Sequence, residues 1–170
     1  MVAAKGGRKE YDELMSIYRK SDNDAQRKHV LHAIGYIADP KLKQAALDWT
    51  TSGAVKLQDF FYVFNSVGSS DKVGQKVVWE YFQANLDRLK AMLAKANPSL
   101  MHAVIIYSSR HFVTRDRLEE VRAFLAAHPI KGTDRVVAQM LESMGVTVAF
   151  AERVAQSDMA KDAFWAGLGK

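Results

Sequence analysis

Between Asp71 and about Ala96, Val78, Phe82, Leu86, Leu89 and Leu93 recur at steps of four, four, three and four, with Lys76, Glu80, Gln83, Asp87 and Lys90 between them. That spacing lines one side of an α-helix and excludes a strand, whose apolar residues would alternate. The segment opening at Thr114 repeats the stripe with Leu118, Val121 and Leu125. It stops at His128–Pro129, because the residue before a proline avoids helical ψ. From Thr133, Val137, Leu141, Met144 and Val148 form a third stripe.

The breaks carry helix-start chemistry. Asp39–Pro40 and Asn97–Pro98 each put a side-chain oxygen at the N-cap and a proline at the first helical position, where its missing N–H costs nothing. Thr114 and Thr133 read as further N-caps, each followed within two residues by an aspartate suited to the helix dipole. The β-rich run "HAVIIYSS" follows the Asn97–Pro98 cap and so reads as a buried helix. About eight helices are expected, starting near residues 10, 24, 40, 57, 71, 98, 114 and 133, with a short one near the C-terminus. With short connections, the expected fold is all-α: a HEAT- or armadillo-like α-solenoid of stacked antiparallel hairpins, although the starts are unevenly spaced and no consensus word recurs. Residues 1–10 read as a flexible end or a cloning join, and 11–170 as a single helical domain.

A chain of 170 residues with 48% hydrophobic and 25% charged residues has the makings of a globular core. It contains no cysteine, which rules out disulfides and thiolate metal sites and fits a reducing compartment, hence a cytoplasmic expectation. The start "MVAAKGGRKE" lacks the apolar centre of a signal peptide, and no apolar run approaches the roughly 20 residues that span a bilayer. The net charge of +5 raises the question of an anionic partner. The cations are scattered among acids, as in "RDRLEEVR", rather than gathered in a stripe with stacking aromatics, so neither nucleic acid nor membrane is expected as a partner.

His29 and His32 stand three apart on one helix, with Val30 where a zinc peptidase helix has its glutamate base, and no third ligand follows. His102, His111 and His128 fall on separate segments. No metal site and no catalytic residue is therefore expected within these residues. Ser108–Ser109 lacks the Gly-x-Ser-x-Gly turn of a hydrolase, and "NSVGSSDKVGQK" lacks the strand and Lys-Ser/Thr ending of a phosphate loop. Trp49, Trp79, Trp165 and the eight phenylalanines read as core anchors.

Two stretches carry a resemblance. In "VGQKVVWEYFQANLDRLKAML", Gly74, Trp79, Phe82, Asn85, Leu86 and Leu89 fit one family pattern. In "RHFVTRDRLEEVRAFLAAHP", Phe112, Thr114, Leu118, Glu119, Glu120, Val121, Phe124 and Leu125 fit the next. Gln58–Asp59 matches an upstream pair, "VLHAIGYIADPKL" fits the opening, and His128–Pro129 fits one branch. Together these resemble the C-terminal domain of gluzincin aminopeptidases, of the puromycin-sensitive and endoplasmic-reticulum antigen-trimming kinds, over about residues 11–166. The family usually has Trp where this chain has Leu86, an exchange that should cost packing and little else.

The family's zinc helix H-E-x-x-H, its glutamate ligand and the G-x-M-E-N loop are not among these residues. The resemblance therefore implies a C-terminal piece of a longer enzyme, inactive alone, with zinc held by the parent's catalytic domain. It implies that this domain closes a chamber over that catalytic domain and meets the C-terminal part of a peptide substrate. Arg110 and His111, at a helix end, and Lys72, in a loop, are the expected peptide contacts, because a peptide presents a carboxylate there. The alternative is an independent α-solenoid scaffold for a protein or acidic partner.

Overall fold

The structure, a computed structural model, describes residues 6–167, and every regular element among them is helical. The order is α1 (Arg8–Lys20), α2 (Asp24–Ile34), α3 (Pro40–Thr50), α4 (Phe61–Ser70), α5 (Lys72–Ala84), α6 (Leu86–Leu93), α7 (Pro98–Ser109), α8 (Arg115–Ala127), α9 (Asp134–Gln156), a 3-10 turn (Asp158–Ala160) and α10 (Asp162–Gly167). The packing falls into two compact units, one ending at His111 and the other beginning at Phe112. Residues 1–5 of the expected flexible end lie outside the described residues, whereas Arg8, Lys9 and Glu10 form the first turn of α1.

In the first unit α4 is the hub, packed against α2, α3, α5 and α7. Its sequence "FYVFNSVGSS" explains why. Val63, Phe64 and Val67 are fully buried, and Phe64 meets Phe60 and Tyr81 edge-on at 5.7 and 5.9 Å. Burying a side chain of this size contributes roughly 1.5–3 kcal/mol. Gly68 lets α7 come close: a Cβ there would lie 2.5 Å from the Tyr107 carbonyl oxygen. In the second unit α8 packs on α9, and Leu118, Val121, Leu125, Leu141, Met144 and Val148 form the buried seam read from the two stripes.

Both proline-linked caps form as expected. Asp39 accepts from the Lys41 amide at 2.7 Å and Asn97 from the Ser99 amide at 3.0 Å. Thr114 and Thr133 sit at N-cap positions but make no side-chain cap; the Thr133 hydroxyl instead donates to the Ile130 carbonyl at 2.8 Å. The long helix expected from Asp71 is two helices, α5 and α6, broken at Asn85 (φ −112°, ψ 15°). The Asn85 side-chain amide and its backbone N–H both donate to the Tyr81 carbonyl, at 2.9 and 3.0 Å, which closes the first helix. The break takes one residue, so the stripe runs on and Leu86, Leu89 and Leu93 remain buried. The helix expected near residue 57 begins at Phe61, after a turn.

Of the three tryptophans, Trp79 is a core anchor and Trp49 is half-buried edge-on against Tyr18, with centroids 4.9 Å apart. Trp165 is 56% exposed and donates to the Met159 carbonyl. Among the described residues its segment is the short α10, packed against the 3-10 turn, which offers little surface to bury an indole.

One lysine lies inside. Lys43, on α3, has 0% exposure. Its ammonium donates to the Gly35 carbonyl at 2.8 Å and the Ser70 hydroxyl at 2.7 Å, with the Asp71 carboxylate at 3.5 Å. It thereby ties the ends of α2 and α4 to the start of α5. Burial pulls its pKa below the usual lysine value, and Asp71 opposes that pull.

Candidate functional site

On α4, Tyr62, Asn65 and Ser69 follow one another at helical spacing on the flank away from the Phe64 core, with Phe61 beside them. All four are half-buried. This flank faces α2 on one side and α7 on the other. The His32 ring lies 4.6 Å from Tyr62, Tyr62 lies 4.5 Å from Phe61, and Phe61 stacks on Tyr107 of α7 at 6.0 Å and 15°. The Tyr36 and Ser69 hydroxyls are hydrogen-bonded at 3.2 Å. A band of rings thus crosses from α2 to α7 over α4.

Arg110 ends the band. It caps α7, where its charge suits the negative end of the helix dipole, and its backbone N–H donates to the Ile106 carbonyl at 2.9 Å. The guanidinium lies over the Tyr107 ring at 4.7 Å, a contact worth about 0.5–1 kcal/mol at an exposed site. Nη2 donates to Asn65 Oδ1 and Nε to His111 Nε2, each at 3.2 Å. Three neighbours therefore hold a side chain that is still exposed. Among the described residues no carboxylate forms an ion pair with it, so it can receive an oxyanion bidentately.

His111 is half-buried, and burial first, then the Arg110 charge, lowers its pKa. Its Nε2 accepts from Arg110, which requires the neutral ring with the proton on Nδ1. Arg110 thus supplies the cation of the pair, and His111 a neutral prop beside it. Lys72 is the exposed first residue of α5 and not in a loop. Among the described residues no hydrogen bond or ion pair joins it to Arg110 or His111. The structure therefore brings Arg110 and His111 together and adds Asn65, Tyr107, Phe61 and Tyr62, which the sequence reading missed. Their signal was present: in "FYVFNSVGSS" aromatic and polar residues fill the flank that a two-sided core helix leaves over.

His29 is exposed, and His32 is engaged with Tyr62. Burial, then the His29 charge, lowers the His32 pKa. Among the described residues no group of three or more His, Asp or Glu could hold a metal ion. The residues here do not fit a zinc site. No helix among the described residues is long and apolar enough to cross a membrane.

Comparison with known proteins finds similar sequences among aminopeptidases. The chain is 26% identical over 143 residues to the alanine/arginine aminopeptidase of Saccharomyces cerevisiae, covering 84% of this chain and 16% of that protein. It is 24% identical over 144 residues to aminopeptidase M1-B of Oryza sativa, covering 85% and 16%. Against endoplasmic reticulum aminopeptidase 1 of Rattus norvegicus it is 24% identical over 145 residues, covering 84% and 15%. The matched part is thus about a sixth of each relative's length. The family model described as the ERAP1-like C-terminal domain matches residues 1–145, most of the chain and all of the Arg110 face, and the chain belongs to that family.

Proposed function

We propose that this chain is the non-catalytic C-terminal domain of a zinc aminopeptidase, and that it closes the chamber over the catalytic domain and receives the C-terminal end of the peptide. The observation that carries the reading is Arg110: an exposed guanidinium fixed by Tyr107, Asn65 and His111 and free of any described carboxylate. A peptide end offers a carboxylate to that guanidinium and side chains to the ring band beside it. Zinc, the general base and the recognition of the peptide amino group belong, on this reading, to the catalytic domain, and no chemical step falls to residues described here. Peptide and catalytic domain are the partners, and a cytoplasmic setting is proposed on the lack of cysteine. The relatives named above are aminopeptidases, which supports this over a free-standing scaffold.

Each charge-assisted hydrogen bond to a carboxylate is worth roughly 1.5–3 kcal/mol, about a tenfold to hundredfold effect on binding. Arg110→Ala in the parent enzyme is therefore expected to raise KM for long peptides with free C-termini by that factor. Aminoacyl substrates too short to reach the domain should be unaffected. Steady-state kinetics on paired short and long substrates check this; equal losses on both, or none on either, would refute it.

A further inference from the structure

A polar pocket lies in the first unit, where α1, α2 and the loop after α3 meet. It has a volume of about 440 Å³ and is walled by Tyr18, Arg19, Arg27, Trp49 and the Gly53–Lys56 turn. Gly53 turns the chain in the left-handed region at φ 92°, a conformation that favours glycine, and this bends the loop around the opening. Arg27 is the feature that needs an explanation. Its Nε is buried without a hydrogen-bond partner, and its Nη1 is 3.9 Å from Asp24, beyond hydrogen-bonding distance. The guanidinium lies over the Tyr18 ring at 5.8 Å, and the side chain as a whole is 31% exposed, so its outer edge rather than the buried Nε faces solvent. Among the described residues no acid lines the pocket; Asp24, nearby, has both oxygens held by Lys56 at 2.8 Å, and Asp59 pairs with Lys28. Arg19, Arg27 and Lys56 against Asp24 leave two positive charges uncompensated. Beside them, Trp49 is half-buried and stands perpendicular to the Tyr18 ring, with centroids 4.9 Å apart.

We propose that this pocket binds a phosphate group carried on a flat ring, with the oxyanion at Arg27, Arg19 and Lys56 and the ring against Trp49. A phosphate monoester matches the charge as a dianion, its oxygens suit the planar donors of two arginines, and the volume lies within the range of small-molecule sites. The site uses none of the residues of the Arg110 face.

The test is a titration of the isotopically labelled full chain, followed at the tryptophan indole N–H resonances, with Trp79 and Trp165 as internal controls. The probes are adenosine monophosphate, inorganic phosphate, adenosine, and sodium chloride at matched ionic strength. Adenosine monophosphate is expected to shift the Trp49 resonance saturably, inorganic phosphate to do so at least tenfold more weakly, and adenosine and chloride to fail. Arg27→Gln should weaken binding at least tenfold. Arg19→Gln, on an exposed side chain outside the packing, should weaken it severalfold. Lys76→Gln, on α5, should change nothing. Absence of saturation, equal binding of phosphate and the monophosphate, the same shift from chloride, or equal effects of the three substitutions would each overturn the proposal.

Discussion

Gly68→Ala is expected to destabilise the first unit by about 2 kcal/mol and to weaken the Arg110 site with it. Two effects compete. Alanine in place of glycine favours a helix by roughly 0.5–1 kcal/mol. Against that, the new methyl would sit 2.5 Å from the Tyr107 carbonyl oxygen, 3.4 Å from Val78 Cγ1 and 3.5 Å from His111 Cδ2. A flexible side chain could swing away, but a backbone carbonyl in the last turns of α7 cannot. Relief requires α4 and α7 to separate, and overpacking of this kind costs typically 1–3 kcal/mol, occasionally more. Separation would also pull Tyr107 from Phe61 and Arg110 from Asn65, contacts that span the same two helices. Urea denaturation should show the lower midpoint, and the double substitution with Arg110→Ala should cost peptide affinity less than the sum of the single ones.

The buried lysine gives the other large effect. Lys43→Ala is expected to cost about 3–5 kcal/mol, because it empties a packed position and strands the Gly35 carbonyl. Lys43→Met fills the volume and removes the charge, so its cost should be smaller, about 1–3 kcal/mol. Asp71 is 45% exposed and remains solvated, which limits the penalty of losing its partner. The pH dependence separates the two contributions. The folded pKa of Lys43 lies below its unfolded value, so the unfolded chain binds more protons between those two values. Stability from this group therefore rises with pH across that window, up to the ordinary lysine value of 10.5. Buried tyrosines such as Tyr81, whose pKa burial raises, push the other way at alkaline pH, but wild type and Lys43→Met share them. The difference between the two proteins, measured by urea denaturation at several alkaline pH values, should grow in favour of wild type.

What could be read beforehand follows from what local chemistry determines. Asp39–Pro40 and Asn97–Pro98 announced helix starts because side-chain cap and ring act within three residues. The stripes of α8 and α9 predicted their buried seam for the same local reason. The break at Asn85 was invisible to periodicity because the stripe keeps phase across it. Thr133 misled because its hydroxyl found the Ile130 carbonyl instead of a helix amide. Lys43 was counted with the solvated lysines, yet it stands in line with Ala46, Leu47 and Thr50 on the buried side of α3. Its satisfaction depends on Gly35, Ser70 and Asp71, which only tertiary packing brings to it. Likewise Arg110 was legible as a cation at a helix end, whereas Asn65 and Tyr107, which aim it, come from the meeting of α4 and α7. The neutral ring of His111 was not legible, because burial and the neighbouring guanidinium lower its pKa through the fold.

The central claim is that the Arg110 face recognises a peptide's free carboxyl end. The most direct measurement is calorimetric binding of one long peptide to the full chain in two forms, with a free C-terminus and with that terminus amidated. The account predicts that the free acid binds at least tenfold more tightly and that Arg110→Ala abolishes the difference. Equal affinity of the two forms, or a preference that survives Arg110→Ala, would contradict it.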